Sequence, residues 1–300
     1  MSSSLPDSLV IRAGTAADAD VAAPILAADE ADFRGSSIWS VDMVKLWWGQ
    51  IDSSWIAEDG GRPVGFAALL ARGDLFDIWA AVEPEVRGRG ISTSLLDLAE
   101  RRARELGART VHAGLFVENR AADALLRARG YAPRRSYYRM VIELDARPPE
   151  PEWPPGITPS AFTRDDARAF YDALVDAFAD EWHWQPTPFD VWLENRVDSP
   201  VARTDLWTIA RDGPEIAGIA RCDVEREGGF IGNIGVRSRW RRRGLGLALL
   251  QHSFRLFYDR GMRTARLGVD ADNASGATRL YERAGMRVEA EDVMYEKELA

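Results

Sequence analysis

Residues Phe230–Gly246 of this 300-residue chain read FIGNIGVRSRWRRRGLG and are the most informative segment for its fold. The apolar run Phe230–Val236 predicts a β-strand, and the glycines of RRRGLG at 241–246 follow it closely. From Leu245 onward, apolar residues recur at helical spacing and predict an α-helix. A strand that runs through a Gly-rich turn into a helix points backbone N–H groups and the positive end of the helix dipole at one spot. The stretch therefore predicts a pyrophosphate-binding turn, with glycine where a side chain would hold the ligand away.

A second strand and helix complete the pattern. The segment TARLGVDADN at 264–273 predicts a strand that ends in polar residues, and Tyr281 follows Asn273 by eight residues on a short helix. Together with the turn, these residues resemble the GNAT superfamily of acyl-CoA-dependent N-acetyltransferases. That family uses an R/Q-x-x-G-x-G/A turn for the pyrophosphate, an Asn after the next strand and a Tyr on the next helix. The alternative interpretation is a generic α/β turn with a packed Tyr.

The same pattern occurs twice in the chain. Gly90 lies 154 residues before Gly244, and Asn119 lies 154 residues before Asn273. The repeat predicts an α/β (α+β) protein of two tandem GNAT domains, each a twisted mixed β-sheet flanked by helices on both faces. The predicted boundaries are 1–146 for an N-terminal, non-catalytic domain, 147–156 for a proline-rich linker and 157–300 for a C-terminal catalytic domain.

Composition limits the classes of function. The chain is 46% hydrophobic and 28% charged, which is typical of a globular protein, and it contains no apolar run of membrane-spanning length. A net charge of −9 argues against nucleic acid as a partner. The start of the chain lacks a secretory pattern and Cys222 is the single cysteine, so we expect a cytoplasmic protein in which Cys222 is a buried small hydrophobe. With three histidines and one cysteine, we expect no metal site.

The resemblance implies that acetyl-CoA binds to the C-terminal domain. The backbone at the end of the first strand would hold the pantetheine arm and polarise the thioester carbonyl, the turn would hold the pyrophosphate, and Asn273 would bond the pantetheine arm or cap a helix. Glycines at 232 and 235 predict a β-bulge or a close backbone approach. The implied cofactor-binding residues are Ile234, Gly235, Val236, Arg241, Arg242, Arg243, Gly244, Leu245, Gly246 and Asn273.

Tyr281 is the candidate general acid, because a hydroxyl can donate to a departing thiolate. An amphipathic Tyr that packs between helix and sheet is the alternative. No carboxylate lies in Phe230–Val236, so the general base stays open: a carboxylate could act through water, or the amine could arrive neutral. The available carboxylates are Asp223, Glu225, Glu227 and Asp270, of which Glu225 and Glu227 are expected on a solvated face.

The acceptor pocket of such enzymes lies around the first two helices of the domain, here near Phe178–Phe189 and Trp192. Asp180, Glu181, His183 and Asp270 are the candidate substrate residues. Aromatic faces beside carboxylates suit a cationic amine or a sugar-like acceptor, although the tryptophans could instead pack in the core.

The first half of the chain contains the same Gly-rich turn, at 87–92, but no counterpart of the candidate acid Tyr281. Leu126 takes the place of Tyr281, while Tyr131 aligns with Met286. We therefore expect coenzyme A affinity, or a relic of it, without catalysis. The residues concerned are Arg87, Gly88, Arg89, Gly90, Ile91, Ser92 and Asn119.

The expected function is direct transfer of an acetyl group from acetyl-CoA to a primary amine of a small molecule. The tandem arrangement is similar to that of mycothiol synthases, which implies a cysteinyl-glucosaminyl-inositol as an alternative acceptor, but those enzymes carry a Glu where this chain has Phe230. Peptide or protein N-acetylation and a non-catalytic CoA-binding regulatory module are further alternatives. Monomer and homodimer are both open.

Overall fold

The computed structural model describes residues 8–72, 75–182, 184–226, 228–273 and 276–299. The chain forms two compact units, Met1–Ser136 together with Glu291–Ala300, and Tyr137–Ala290. Each unit contains one mixed β-sheet with its own helices.

The first unit is built mainly from the first half of the chain. Its sheet has the strand order β1-β2-β3-β4-β5-β12, in which β4 and β5 are parallel and the other pairs are antiparallel. The elements are β1 (Leu9–Ala13), α1 (Ala19–Arg34), α2 (Val41–Trp48), β2 (Ser53–Asp59), β3 (Arg62–Arg72), β4 (Leu75–Val82), α3 (Ile91–Glu105), β5 (Thr110–Phe116), α4 (Arg120–Ala128) and, from the end of the chain, β12 (Arg287–Glu298).

The second unit repeats this plan. Its strand order is β6-β11-β10-β9-β8-β7, with β10 and β11 parallel. The elements are β6 (Ala132–Glu143), β7 (Ile157–Ala161), α5 (Ala167–Phe178), α6 (Phe189–Arg196), β8 (Thr208–Asp212), β9 (Glu215–Glu225), β10 (Gly228–Val236), α7 (Leu245–Asp259), β11 (Thr264–Asp270) and α8 (Ala277–Arg283).

The last strand of each sheet comes from the other half of the sequence. Asp292–Glu298 of β12 pairs with β5 in the first unit, and Tyr137–Glu143 of β6 pairs with β11 in the second. The predicted boundaries at 146 and 157 follow chain order, whereas the compact units do not. The difference arises because strand pairing joins residues far apart in sequence, and the pattern of a single strand does not indicate which strand it will pair with.

The proline-rich segment 147–156 is without helix or strand, as its composition predicts, and it is fastened to α7. Arg147 makes two 2.8 Å bonds to Asp259, and Arg255 of α7 donates to the Pro148 carbonyl at 2.7 Å. The segment is therefore a surface strap of the second unit.

Helices cover both faces of each sheet, which confirms the predicted fold class. In the first unit, Phe66 of β3 packs with α1 and α2, while Leu69, three residues further along the same strand, packs with α3. In the second unit, a Cβ on Gly218 would meet Leu249 of α7 at 3.0 Å, and one on Gly235 would meet Ala177 of α5 at 2.7 Å. Alternate residues along a strand point to opposite faces, so the two helix layers contact different residues of the same strands.

Two strand glycines provide a matched test of core packing in the second unit. A Cβ on Gly229 would lie 2.3 Å from the ring of the fully buried Phe257, whereas one on Gly268 would meet no atom within 4 Å. We expect Gly229→Ala to lower the free energy of unfolding by about 1–3 kcal/mol through overpacking. Gly268→Ala is the control and should be neutral or slightly stabilising. Urea unfolding followed by tryptophan fluorescence would measure both, and equal midpoints for the two variants would contradict this account.

Candidate active site

The parallel strands β10 and β11 separate partway along their length. Pairing runs from Gly229 opposite Ala265 to Ile231 opposite Leu267 and then stops, while β10 stays paired with β9 as far as Val236. A bulge between Ile231 and Asn233 marks the point of separation, which confirms the bulge predicted from Gly232. The β11-facing side of residues 233–236 is thus open to a ligand that can bond backbone groups.

The turn after β10 leads into α7 as predicted. Gly244 has φ 86° and is the N-cap of α7, which begins at Leu245. Arg242 also lies in the left-handed region, with φ 62°, at the position that Gly88 (φ 79°) occupies in the first unit. A non-glycine residue costs about 1–2 kcal/mol in this conformation. The Leu247 N–H donates to the Gly244 carbonyl at 3.1 Å. The N–H groups before it, at the start of α7, have no carbonyl four residues back within the helix and suit an anion.

Arg241 has a structural task in this turn. Its Nε donates to the Val236 carbonyl at 3.1 Å, and its two Nη atoms donate to the Ala177 carbonyl at 3.1 Å and to Asp180 at 3.0 Å. These bonds join the end of β10 to the end of α5. Arg87 repeats the arrangement, with Nε 3.3 Å from the Val82 carbonyl. The first arginine of each motif therefore holds the turn through its side chain.

Arg242 and Arg243 are the cations that face outward from the turn. Both side chains are exposed, and neither forms an ion pair with any residue that the structure describes. Gly246 has a packing role, because a Cβ there would lie 3.1 Å from Leu280 of α8. The turn thus offers backbone N–H groups and two free guanidinium groups.

Three predicted site residues from distant parts of the sequence lie together. Asn273 donates from Nδ2 to Glu181 at 2.8 Å, and the N-cap of α8 is Gly276 rather than Asn273. Tyr281 is 7% exposed. Burial and the negative charge of Glu181 raise the pKa of Tyr281 to about 12, so its hydroxyl keeps its proton at physiological pH.

Of the other candidate acids, Asp270 adjoins this group, because its backbone carbonyl accepts from the Asn273 N–H at 3.1 Å. Asp270 accepts from the Asp272 N–H at 2.8 Å and shapes the loop after β11. The expectation that Glu225 lies on a solvated face is wrong, because Glu225 is buried and pairs with Arg139 at 2.8 Å. His183 and Glu227 are outside the residues that the structure describes.

A cavity of about 130 Å³ lies between β9, β10 and the helices α5 and α6. Trp184 and Trp192 form part of its wall. Its polar lining includes two cationic side chains, Arg196 and Arg221, and neutral ones such as Asn233, Gln185 and Thr187. Trp192 also packs against Phe170 and is 6% exposed, which confirms the core alternative for this tryptophan.

Sequence reasoning missed the arginines of this cavity. The signal was present, since Arg221 interrupts the apolar run Ile216–Cys222, where the neighbours Ala220 and Cys222 are fully buried. Burial and the nearby charge of Arg196 lower the pKa of Arg221 to about 10. Cys222 faces the other side of the sheet and is buried as expected, and burial raises the pKa of its thiol to about 12.

In the first unit the two parallel strands also separate, but the side chains around the gap differ from those of the second unit. Pairing of β4 with β5 stops at Ile78 opposite Ala113, and Gly90 (φ 80°) is the N-cap of α3. The Tyr131 N–H donates to the Leu126 carbonyl at 3.0 Å, and the Met286 N–H donates to the Tyr281 carbonyl at 3.0 Å. These matching bonds confirm that Leu126 occupies the place of Tyr281.

Two other polar side chains of the first unit, Asn119 and Tyr131, form hydrogen bonds to groups of the same unit. Asn119 caps α4 by accepting from the Ala122 N–H at 3.0 Å, and Tyr131 donates to Glu100 at 3.1 Å.

No group of His, Cys, Asp or Glu side chains among the described residues could hold a metal ion. In the same part of the chain, no helix is long and apolar enough to cross a membrane.

Comparison with known proteins agrees with this geometry. Residues 25–131 and 167–286 both match the Acetyltransferase (GNAT) family. A mycothiol acetyltransferase of Clavibacter michiganensis subsp. michiganensis is 34% identical over 243 residues, which cover 79% of this chain and 77% of that protein.

Solved structures extend the likeness to the whole chain. A GCN5-related N-acetyltransferase of Sphaerobacter thermophilus superposes with a TM-score of 0.82 at 34% identity, covering 98% of this chain and 97% of that one. A tandem GNAT protein from the clavulanic acid biosynthesis pathway shares the fold, with a TM-score of 0.73 at 19% identity and coverage of 97% and 98%. The chain therefore belongs to the GNAT acetyltransferase family, carries two copies of the family's domain, and is an N-acetyltransferase.

Proposed function

We propose that the second unit binds acetyl-CoA in the opening between β10 and β11 and transfers the acetyl group to a primary amine of a small molecule. The observation that carries this proposal is the separation of the two strands beside Tyr281 and the α7 turn. The backbone of Ile234–Val236 would bond the pantetheine arm, and the turn with Arg242 and Arg243 would hold the pyrophosphate.

The proposed reaction is direct transfer. The amine nitrogen attacks the thioester carbonyl carbon, a C–N bond forms, and the C–S bond breaks as the tetrahedral intermediate collapses. The amine loses one proton to water or to a carboxylate. Backbone N–H groups near Ile234 would stabilise the oxyanion.

Tyr281 would donate a hydrogen bond from its hydroxyl to the departing sulfur, which leaves as the thiolate. A free thiol has a pKa of about 8.5, whereas burial raises the pKa of Tyr281 to about 12. The phenol is thus the weaker acid, and it stabilises the thiolate mainly as a hydrogen-bond donor that never ionises in the resting enzyme.

Asn273 would bond the pantetheine arm once it is released from Glu181. In the structure its amide donates to Glu181 at 2.8 Å. Binding of the cofactor would therefore free the Glu181 carboxylate, which already acts electrostatically on Tyr281. Glu181 becomes a candidate base for the amine, in addition to the carboxylates considered from the sequence.

We propose that the first unit is non-catalytic, although it keeps a turn that suits coenzyme A. Leu126 in the place of Tyr281 has no hydroxyl to donate. Trp79, at the position that corresponds to Asn233, makes edge-to-face ring contacts with Trp39 and Trp47, at centroid distances of 6.0 and 5.6 Å. This tryptophan cluster occupies the region that is a cavity in the second unit.

Acetyl transfer to a mycothiol precursor is the second candidate function. It is favoured by the curated relatives named mycothiol acetyltransferases, one of which is 34% identical to this chain. Phe230 stands against it, because mycothiol synthases carry a Glu at that position.

The test of the proposed function is thiol release from acetyl-CoA with a panel of amines. Amino acids, polyamines, aminoglycosides, a cysteinyl-glucosamine conjugate and short peptides cover the candidate acceptors. Turnover with one class would identify the acceptor. Binding of acetyl-CoA by calorimetry without turnover on any amine would favour the non-catalytic CoA-binding module instead.

Tyr281→Phe is expected to lower the rate of acetyl transfer about 100-fold or more, because the departing sulfur loses its donor. The affinity for acetyl-CoA should change less than twofold, since the phenyl ring keeps the packing. Single-turnover kinetics with the best acceptor would measure the rate, and calorimetry the affinity. An unchanged single-turnover rate would show that Tyr281 is only a packing residue.

Replacing both Arg242 and Arg243 with Ala is expected to weaken acetyl-CoA binding about 10- to 100-fold, because two charge-assisted bonds to phosphate are lost. Acetyl-pantetheine, which has no pyrophosphate, provides the matched control on the ligand side, and its kcat/KM should stay the same. An equal loss with both donors would mean that the arginines shape the turn rather than bind phosphate.

A further inference from the structure

The cavity beside the β10 bulge contains a half-buried cation, Arg221, whose side-chain hydrogen bond goes to a neutral group. Arg221 lies on β9 between two fully buried residues, and its Nε donates to Oδ1 of Asn233 at 2.8 Å. Its guanidinium passes over the bulge, where a Cβ on Gly232 would lie 2.0 Å from Nη2. The missing side chain at 232 thus makes room for this guanidinium.

A second guanidinium enters the same cavity. Arg196 ends α6 and lines the cavity together with Arg221. Its positive charge, after burial, is the next cause that lowers the pKa of Arg221. Two like charges that share a small cavity repel each other, so the arrangement favours a bound negative group.

No carboxylate of the described residues lies within ion-pair distance of either arginine. Asp223, on the same strand, affects Arg221 only from farther away. Other arginines of the unit do have such partners; Arg164, for example, binds Asp198 through two bonds of 2.9 and 2.8 Å. The cavity therefore contains two guanidinium groups, those of Arg196 and Arg221, that form no ion pair with a described carboxylate.

The cavity has the size and the position of an acceptor site. Its volume of about 130 Å³ is large enough for a small organic group and not only for a single water. Trp184 and Trp192 provide apolar wall. Asn233 directly precedes Ile234, so a molecule held by Arg221 would extend toward the strand segment on which the thioester is proposed to lie.

We propose that the acceptor of this enzyme is a small amine that also carries a carboxylate, and that Arg221 and Arg196 bind this carboxylate. The inference rests on the proposed function, which supplies the acetyl donor, but the anion site is argued from the cavity alone. Guanidinium groups bind carboxylates through paired, charge-assisted bonds.

This inference differs from the acceptor expected from the sequence. Of the two carboxylates expected to attract a cationic acceptor, Asp180 pairs with Arg241 at 3.0 Å. Glu181 bonds Asn273 at 2.8 Å and would be freed only when the cofactor binds, as a candidate base for the amine. The polar groups that line the cavity are cationic or neutral instead.

Binding of acetylated products tests the site without requiring transfer. The ligands are N-acetyl amino acids, the corresponding N-acetyl amino acid amides, and N-acetyl-aminoethylphosphonate as a non-carboxylate anion. Quenching of tryptophan fluorescence reports occupancy, because two tryptophans line the cavity. We expect at least tenfold tighter binding of the carboxylates than of their amides, and weaker binding of the phosphonate than of the carboxylates.

Three variants locate the binding. Arg221→Gln and Arg196→Gln should each weaken carboxylate binding about tenfold or more and leave binding of the amides unchanged. Since Arg196 is exposed at a helix end, its variant should fold even where the half-buried Arg221→Gln does not. Arg164→Gln is the matched control, because Arg164 lies in the same unit, outside the cavity, and has a surface carboxylate partner.

Equal binding of carboxylates and amides, or tighter binding of the phosphonate, would overturn the proposal. Equal rates of acetyl transfer to amines with and without a carboxylate would support the proposed function and contradict this inference. Arginine-dependent carboxylate binding without acetyl transfer to any amine would support the anion site and contradict the proposed function.

Discussion

The site depends on one break in backbone pairing. In a sheet, every interior strand normally uses its N–H and C=O groups on both sides. In the second unit, β10 loses its β11 partner after Ile231, so the groups on one side of residues 233–236 are available to a ligand. The bulge at Gly232 and the bonds from Arg241 to Val236 and Ala177 hold the freed strand end in place. A strand end kept rigid in this way can bind an extended ligand with little ordering cost.

The repeat of this architecture shows which parts are structural and which are chemical. The arginine that clamps the strand end and the glycine at the helix N-cap occur in both units. The cross-strand pair Arg221–Asn233 of the second unit corresponds to Ala68–Trp79 in the first, as the matching strand registers show. The scaffold is thus common to both units, while the groups that could bind a polar acceptor are present in one of them.

Several features of the second unit oppose stability. Arg242 takes a left-handed conformation that Gly88 adopts without strain in the first unit. Arg196 and Arg221 share a cavity without a carboxylate partner among the described residues. Such features persist when the rest of the structure maintains them, and they concentrate at ligand-binding positions. Their grouping around the end of β10 agrees with the location of the proposed site.

The sequence by itself determined the local structure and the family, because turns, strand–helix alternation and a repeat of 154 residues depend on residues close together or on simple self-similarity. The glycine turn at 241–246 that leads into α7, the bulge at Gly232 and the loss of the Tyr281 equivalent in the first unit were all predictable from it. The tertiary structure alone decided which strand closes each sheet, that Glu181 bonds Asn273 across 92 positions, and that Arg196 and Arg221 share one cavity. These contacts join distant segments through packing of whole helices and strands, and no local pattern encodes the partner of a side chain that lies across such an interface.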